Sequence, residues 1–224
     1  MASYPSTVAS TTRSSALATN KVLRNTYLLL GATLAFSALT AGISMMLNLP
    51  HPGILITLVG YFGLLFAVTK TQNSSWGILF IFALTGFMGL TLGPIISMYL
   101  KFLPNGAQVV TTALGITAAT FVGLSAYAVK SQKDFSFMGG FLTVGIIGAF
   151  LLGLVAVFFN MPTLSLVVSG VFVIAMAGLI LYQTSAIIHG GETNYIMATV
   201  TLYVSIYNLF TSLLHLLGAT SGDD

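Results

Sequence analysis

Residues 194–217 read NYIMATVTLYVSIYNLFTSLLHLL, a tract with no formal charge. Its length matches the roughly 20 residues a helix needs to cross a bilayer's hydrocarbon core. Its polar content is ordered: Asn194, Ala198, Thr201, Ser205, Asn208, Ser212 and His215 recur at alternating intervals of four and three. On a helix that spacing draws one narrow stripe of small or polar groups. An unpartnered amide in hydrocarbon costs several kcal/mol, so the stripe, and Asn208 in particular, should be buried against other helices. The last tract is therefore expected at the centre of the fold.

Working outward, the same character recurs at 26–48, 52–69, 75–99, 107–129, 137–158 and 162–182. All seven basic and four acidic residues fall outside these tracts. The chain is 56% hydrophobic and 5% charged, against about 25% charged in soluble domains. The fold class that follows is an all-α polytopic membrane protein with seven transmembrane helices. An ionised group at the bilayer centre costs about 2.5–3.5 kcal/mol or more and persists mainly where a proton or ion pathway uses it. The lack of any such group in the spans argues against a carboxylate-driven pump or transporter. The loops are too short for a soluble domain, so the expected organisation is a flexible cytoplasmic tail over 1–25, a membrane domain over 26–217 and a short tail over 218–224.

With the amino terminus in the cytoplasm, cytoplasmic segments hold Arg13, Lys21, Arg24, Lys70, Lys130 and Lys133, leaving Lys101 outside. This balance predicts an inward amino terminus, a carboxyl end on the opposite side, and seven full crossings rather than a re-entrant 52–69. Turn residues Asn48-Leu49-Pro50, Pro104-Asn105-Gly106 and Asn160-Met161-Pro162 end the odd-numbered spans. The repetition suggests three successive helical hairpins around a central carboxyl-terminal helix. Gly86, Gly89, Gly93 and Ser97 share one face of the third span, ahead of a kink at Pro94. Such a face serves tight packing within the monomer, a hinge or a dimer seam.

Chemistry is sparse. There is no cysteine, hence no disulfide, thiolate metal site or cysteine nucleophile. The scattered basic residues form no nucleic-acid footprint. His189 and Glu192 share a polar link but make no metal set, and His51 and His215 read as lone imidazoles. No catalytic constellation occurs within the spans, and no metal or other cofactor is expected. The stripe through Asn194, Thr201, Asn208 and Ser212 lines a wet cavity or supplies interhelical hydrogen bonds; both readings stand on sequence alone.

The runs NKVLRNTYLLLGATLAF (20–36), GFMGLTLGPI (86–95) and LYQTSAIIHGGETNYIMATVTLYVSIYNLF (181–210) resemble the Bax inhibitor one (BI-1) family, and within it the bacterial YccA branch. The resemblance covers nearly all of the chain after residue 20. It implies a seven-helix protein of the bacterial inner membrane with a central last helix. Two functions follow from the resemblance. One is binding and restraining the membrane-anchored ATP-dependent protease FtsH with its HflK/HflC partners. The other is a pH-sensitive calcium leak gated by two aspartates. The positions matching those aspartates are Gln183 and Ser205. Neither titrates in the biological range, so a proton-sharing dyad cannot operate, although amide and hydroxyl could bond helices six and seven together.

Overall fold

The computed structural model describes residues 7–221, with side chains described from residue 19. Its elements are α1 (Thr7–Met46), α2 (Ile54–Thr71), α3 (Ser75–Phe102), α4 (Gly106–Ser131), α5 (Met138–Phe158), α6 (Pro162–Ile188) and α7 (Tyr195–Thr220). All seven are long and apolar enough to cross a membrane, α2 included at 18 residues. The fold class read from the sequence holds.

Helix ends are set by local chemistry. After α1 the chain turns through Asn48 at φ 48°, and after α5 through Asn160 at φ 49°. In each case the next amide reaches back five residues, Leu49 to the Ser44 carbonyl at 3.0 Å and Met161 to that of Ala156 at 2.8 Å. These are Schellman caps, with asparagine tolerating the left-handed backbone. Pro162 then opens α6, where its missing N–H is no loss.

At the amino end the structure differs from the sequence reading. Residues 7–25, expected as part of a tail, continue α1. No glycine or proline lies between Ser6 and Leu30, so a helix nucleated in the span extends outward at one hydrogen bond per residue. Residues 1–6 lie outside the described residues. At the other end α7 runs on to Thr220, past the expected limit at 217.

The hairpin scheme holds only in part. Helices α3 and α4 pack together, as do α5 and α6, but α1 and α2 each pack on α3 instead of on one another. The glycine face of α3 explains why. A Cβ at Gly86 would sit 2.7 Å from the Phe36 ring, one at Gly93 would sit 2.6 Å from Ser44 Cβ, and one at Gly89 would collide with Thr40 and the Ser37 backbone. This face is the α1–α3 contact inside the monomer, which answers the question of hinge, seam or packing. Backbones this close gain dispersion that lipid cannot match.

Pro94 leaves the Leu90 carbonyl without its helical donor. Ser44 of α1, 1% exposed, supplies one: its Oγ donates to the Leu90 oxygen at 2.9 Å. Helix α7 occupies the centre, packed against α1, α3, α4 and α6. Its side chains Leu202, Ser205 and Leu214 are fully covered, whereas in α2 Val68 is the single buried residue.

Candidate functional site along the last helix

None of the seven stripe residues is exposed: Ala198, Ser205 and Ser212 are buried, and Asn194, Thr201, Asn208 and His215 are half-buried. Burial by protein is thus complete at three of the seven positions and partial at the other four. The stripe's hydrogen bonding is less uniform than the spacing suggests. Asn194 caps α7, its Oδ1 accepting from the Ile196 and Met197 amides at 2.9 and 3.2 Å. Its Nδ2 donates to the Gln72 carbonyl at 3.1 Å and to Asn73 Oδ1 at 2.9 Å, tying α7 to the α2–α3 loop. At the other end His215 Nδ1 meets Ser169 Oγ of α6 at 2.8 Å. That imidazole, read from the sequence as lone, has a partner, and His51 Nδ1 accepts from the Gly53 amide at 3.1 Å.

The middle of the stripe turns inward on its own helix. Ser205 Oγ donates to the Thr201 carbonyl at 2.7 Å, and Asn208 Nδ2 to that of Val204 at 2.8 Å. Short polar side chains reach the carbonyl four residues back before they reach another helix. Asn208 is thus a half-buried residue on a cavity wall, and its amide nitrogen bonds within α7 rather than to another helix.

Interhelical bonding comes instead from the adjoining face, which the stripe reading passed over. Tyr203, 1% exposed, places its Oη 2.6 Å from Ser37 Oγ of α1 and donates to the Thr85 carbonyl of α3 at 3.3 Å. One residue thus joins three helices. Tyr207 Oη lies 3.4 Å from Thr91 Oγ1, while Thr199 Oγ1, 3.3 Å from the Thr26 carbonyl, has its shorter bond at 2.7 Å to the Tyr195 carbonyl of its own helix. A tyrosine carries its hydroxyl on a long rigid lever, so it spans the gap that serine cannot. A signal existed: Ser37, Ala41 and Ser44, at intervals of four and three, put small residues on one face of α1 as Gly86, Gly89 and Gly93, at intervals of three and four, do on α3.

Two cavities flank these tyrosines. One, of about 390 Å³, lies among α2, α3, α5, α6 and α7; Thr91, Tyr207 and Asn208 supply polar groups, and Phe62 and Phe150 meet edge to face at 5.9 Å on its α2 and α5 sides. The other, of about 300 Å³, lies among α1, α3, α4 and α7, with Ser37, Thr117 and both tyrosines in its lining. Both linings are chiefly aliphatic and aromatic. Apolar clefts of this kind suit hydrocarbon better than a water column.

Gln183 and Ser205 do not bond to one another. Gln183 is 5% exposed with its Nε2 unpartnered, and the Ser205 hydroxyl is spent on Thr201. The amide–hydroxyl link between α6 and α7 that the sequence allows is not made: the Ser205 proton goes to its own helix, and the Gln183 amide nitrogen does not reach the serine oxygen, which could still accept. His189 and Glu192 are also engaged separately, His189 with the Ser185 and Gln132 carbonyls and Glu192 with the Asn194 amide.

Residues 19–222 match the family described as Inhibitor of apoptosis-promoting Bax1. The chain belongs to the Bax inhibitor one family. Among its relatives, the Escherichia coli K12 protein named Modulator of FtsH protease YccA is 53% identical over 212 residues, covering 94% of this chain and 95% of that one. An uncharacterized Pseudomonas aeruginosa protein is 55% identical over 203 residues, 91% of each. A Vibrio cholerae membrane protein is 44% identical over 209 residues, 93% of each. The seven apolar helices and these relatives make the chain a multi-pass inner-membrane protein of this family. The names its relatives carry describe modulation and inhibition rather than a catalysed reaction.

Proposed function

We propose that this protein restrains an FtsH-type ATP-dependent protease of the inner membrane, with its amino terminus in the cytoplasm and its carboxyl end on the far side. The observation that carries the reading is the 53% identity to the modulator YccA across 94% of the chain. The charge pattern supports the orientation, since six of seven basic residues gather on the side of the amino terminus. The same side carries the amino-terminal arm of α1, the part that a cytoplasmic protease would grasp. Contacts with HflK/HflC-like partners of the protease belong to the same proposal. Absence of acids at Gln183 and Ser205 removes the chemistry of a calcium gate at those positions.

The test is turnover. In E. coli lacking YccA, expression of this chain is expected to lengthen the half-life of an unstable membrane subunit degraded by FtsH, and the two proteins are expected to co-purify. Deleting residues 2–20 should leave binding intact and make the protein itself resistant to the protease. Unchanged turnover of the subunit with the chain present at normal levels would defeat the proposal.

A further inference from the structure

The α4–α5 loop is held down by the end of α6. Ser185, buried in the last turn of that helix, accepts from the Phe135 amide at 3.0 Å and donates its only hydroxyl proton to the Lys133 carbonyl at 3.1 Å. His189, at the tip of the same helix, closes over this contact. Its Nδ1 lies 2.9 Å from the Ser185 carbonyl oxygen and 3.3 Å from Ser185 Oγ, and its Nε2 lies 3.1 Å from the Gln132 carbonyl oxygen. With the hydroxyl proton committed to Lys133, Oγ meets the ring only as an acceptor. Both ring nitrogens therefore face oxygen acceptors.

A neutral imidazole carries one N–H. Protonated at Nδ1, it satisfies Ser185 and turns the Nε2 lone pair toward the Gln132 oxygen; protonated at Nε2, it satisfies Gln132 and turns the other lone pair toward Ser185. The imidazolium donates from both nitrogens and leaves neither carbonyl opposed. Charged groups and a helix end face the ring. The carboxyl end of α6 presents the negative pole of the helix. Asp134 stays anionic, because hydrogen bonding from Ser136, with a smaller contribution from the His189 charge, draws its carboxyl below the usual range. Lys130, in the last turn of α4, and Lys133, on the loop, carry the opposite charge, and the Glu192 carboxylate accepts from the Asn194 amide at 2.7 Å.

We propose that His189 is a proton-operated latch, binding a proton to fasten the α4–α5 loop to the end of α6 and releasing the loop when the proton leaves. Histidine is the side chain whose charge changes within about pH 5 to 8, so the latch works across that window, closed on its acid side. It sits with the amino-terminal arm on the side rich in basic residues, and it stands on its own geometry whichever partner the protein serves.

The experiment has two arms on the full chain in detergent or nanodiscs. The chain holds three histidines and no cysteine, so histidine-selective nitrogen-15 NMR resolves His189, and a spin label at Ser136→Cys reports loop motion without background. Expected results are a doubly protonated His189 at pH ~5.5, a several-fold rise in label mobility between pH ~5.5 and ~8, and a Phe135 amide signal that tracks the His189 titration. His189→Gln, an exposed change, should abolish the pH step. Asp134→Asn should move the midpoint of the step to lower pH, since removing an anion disfavours the imidazolium. A step that persists in His189→Gln would overturn the proposal, as would a His189 that titrates while the Phe135 signal stays still.

Discussion

Ser44→Ala tests how the fold tolerates a proline in a spanning helix. The hydroxyl donates to the Leu90 carbonyl that Pro94 leaves bare, at 2.9 Å and with the serine 1% exposed. Interhelical hydrogen bonds in membranes average about 0.6 kcal/mol and reach about 1.7. An unmet buried carbonyl costs about 1–3 kcal/mol. A destabilisation of about 1.5 kcal/mol is expected, roughly tenfold in the unfolding equilibrium. The decisive comparison is a double-mutant cycle with Pro94→Ala. Alanine restores the N–H at position 94, so Leu90 regains its partner within the helix and Ser44→Ala should then cost only about 0.5 kcal/mol, a coupling of about 1 kcal/mol. Reversible unfolding in mixed micelles, followed by circular dichroism, gives each of the four stabilities. Equal cost of Ser44→Ala in both backgrounds would refute the view that this serine exists to satisfy the proline's orphaned carbonyl.

Tyr203→Phe removes the hydroxyl shared by Ser37 and Thr85 and should lower stability in the same assay by about 1–2 kcal/mol, with Ser37→Ala adding little on top because the pair acts as one unit. Gly89→Val places a side chain against the Ser37 backbone of α1; a cost of about 1–3 kcal/mol or more, read as loss of monodisperse protein in detergent, is expected, and a neutral result would mean that α1 and α3 do not meet there. Gln183→Met replaces a buried amide whose nitrogen has no partner with an apolar side chain of similar length, and thermal denaturation should show it neutral or more stable by about 1 kcal/mol; a marked loss would reveal a partner for the amide. Proteoliposomes carrying the parent protein should hold a calcium gradient equally well from pH ~6 to ~8, because neither Gln183 nor Ser205 titrates, and a leak that steps with pH would reopen the channel reading.

The spans were legible from the sequence because the cost of placing a charge in hydrocarbon is paid residue by residue and leaves a visible gap in the charge pattern. The ends of α1, α5 and α6 were legible for a similar reason: Asn48, Asn160 and Pro162 act on backbone within one turn of themselves. So was the central place of α7, since a polar stripe of that length must be covered by protein. The extension of α1 to Thr7 escaped because a tract of serine and threonine looks unstructured until a neighbouring helix nucleates it.

What only the tertiary structure decided is which helix touches which. In a bilayer every span is equally content against lipid, so apolarity names no partner, and the choice falls to backbone approach and hydrogen bonds between distant residues. Ser37 meets Tyr203 across 166 positions, and Ser44 meets Leu90 across 46. His189 meets Gln132 across 57, with the protonation logic of that contact written in the direction of two carbonyls. Sequence spacing records where a side chain lies on its own helix, while the direction of an oxygen on another helix exists only after the chain has folded.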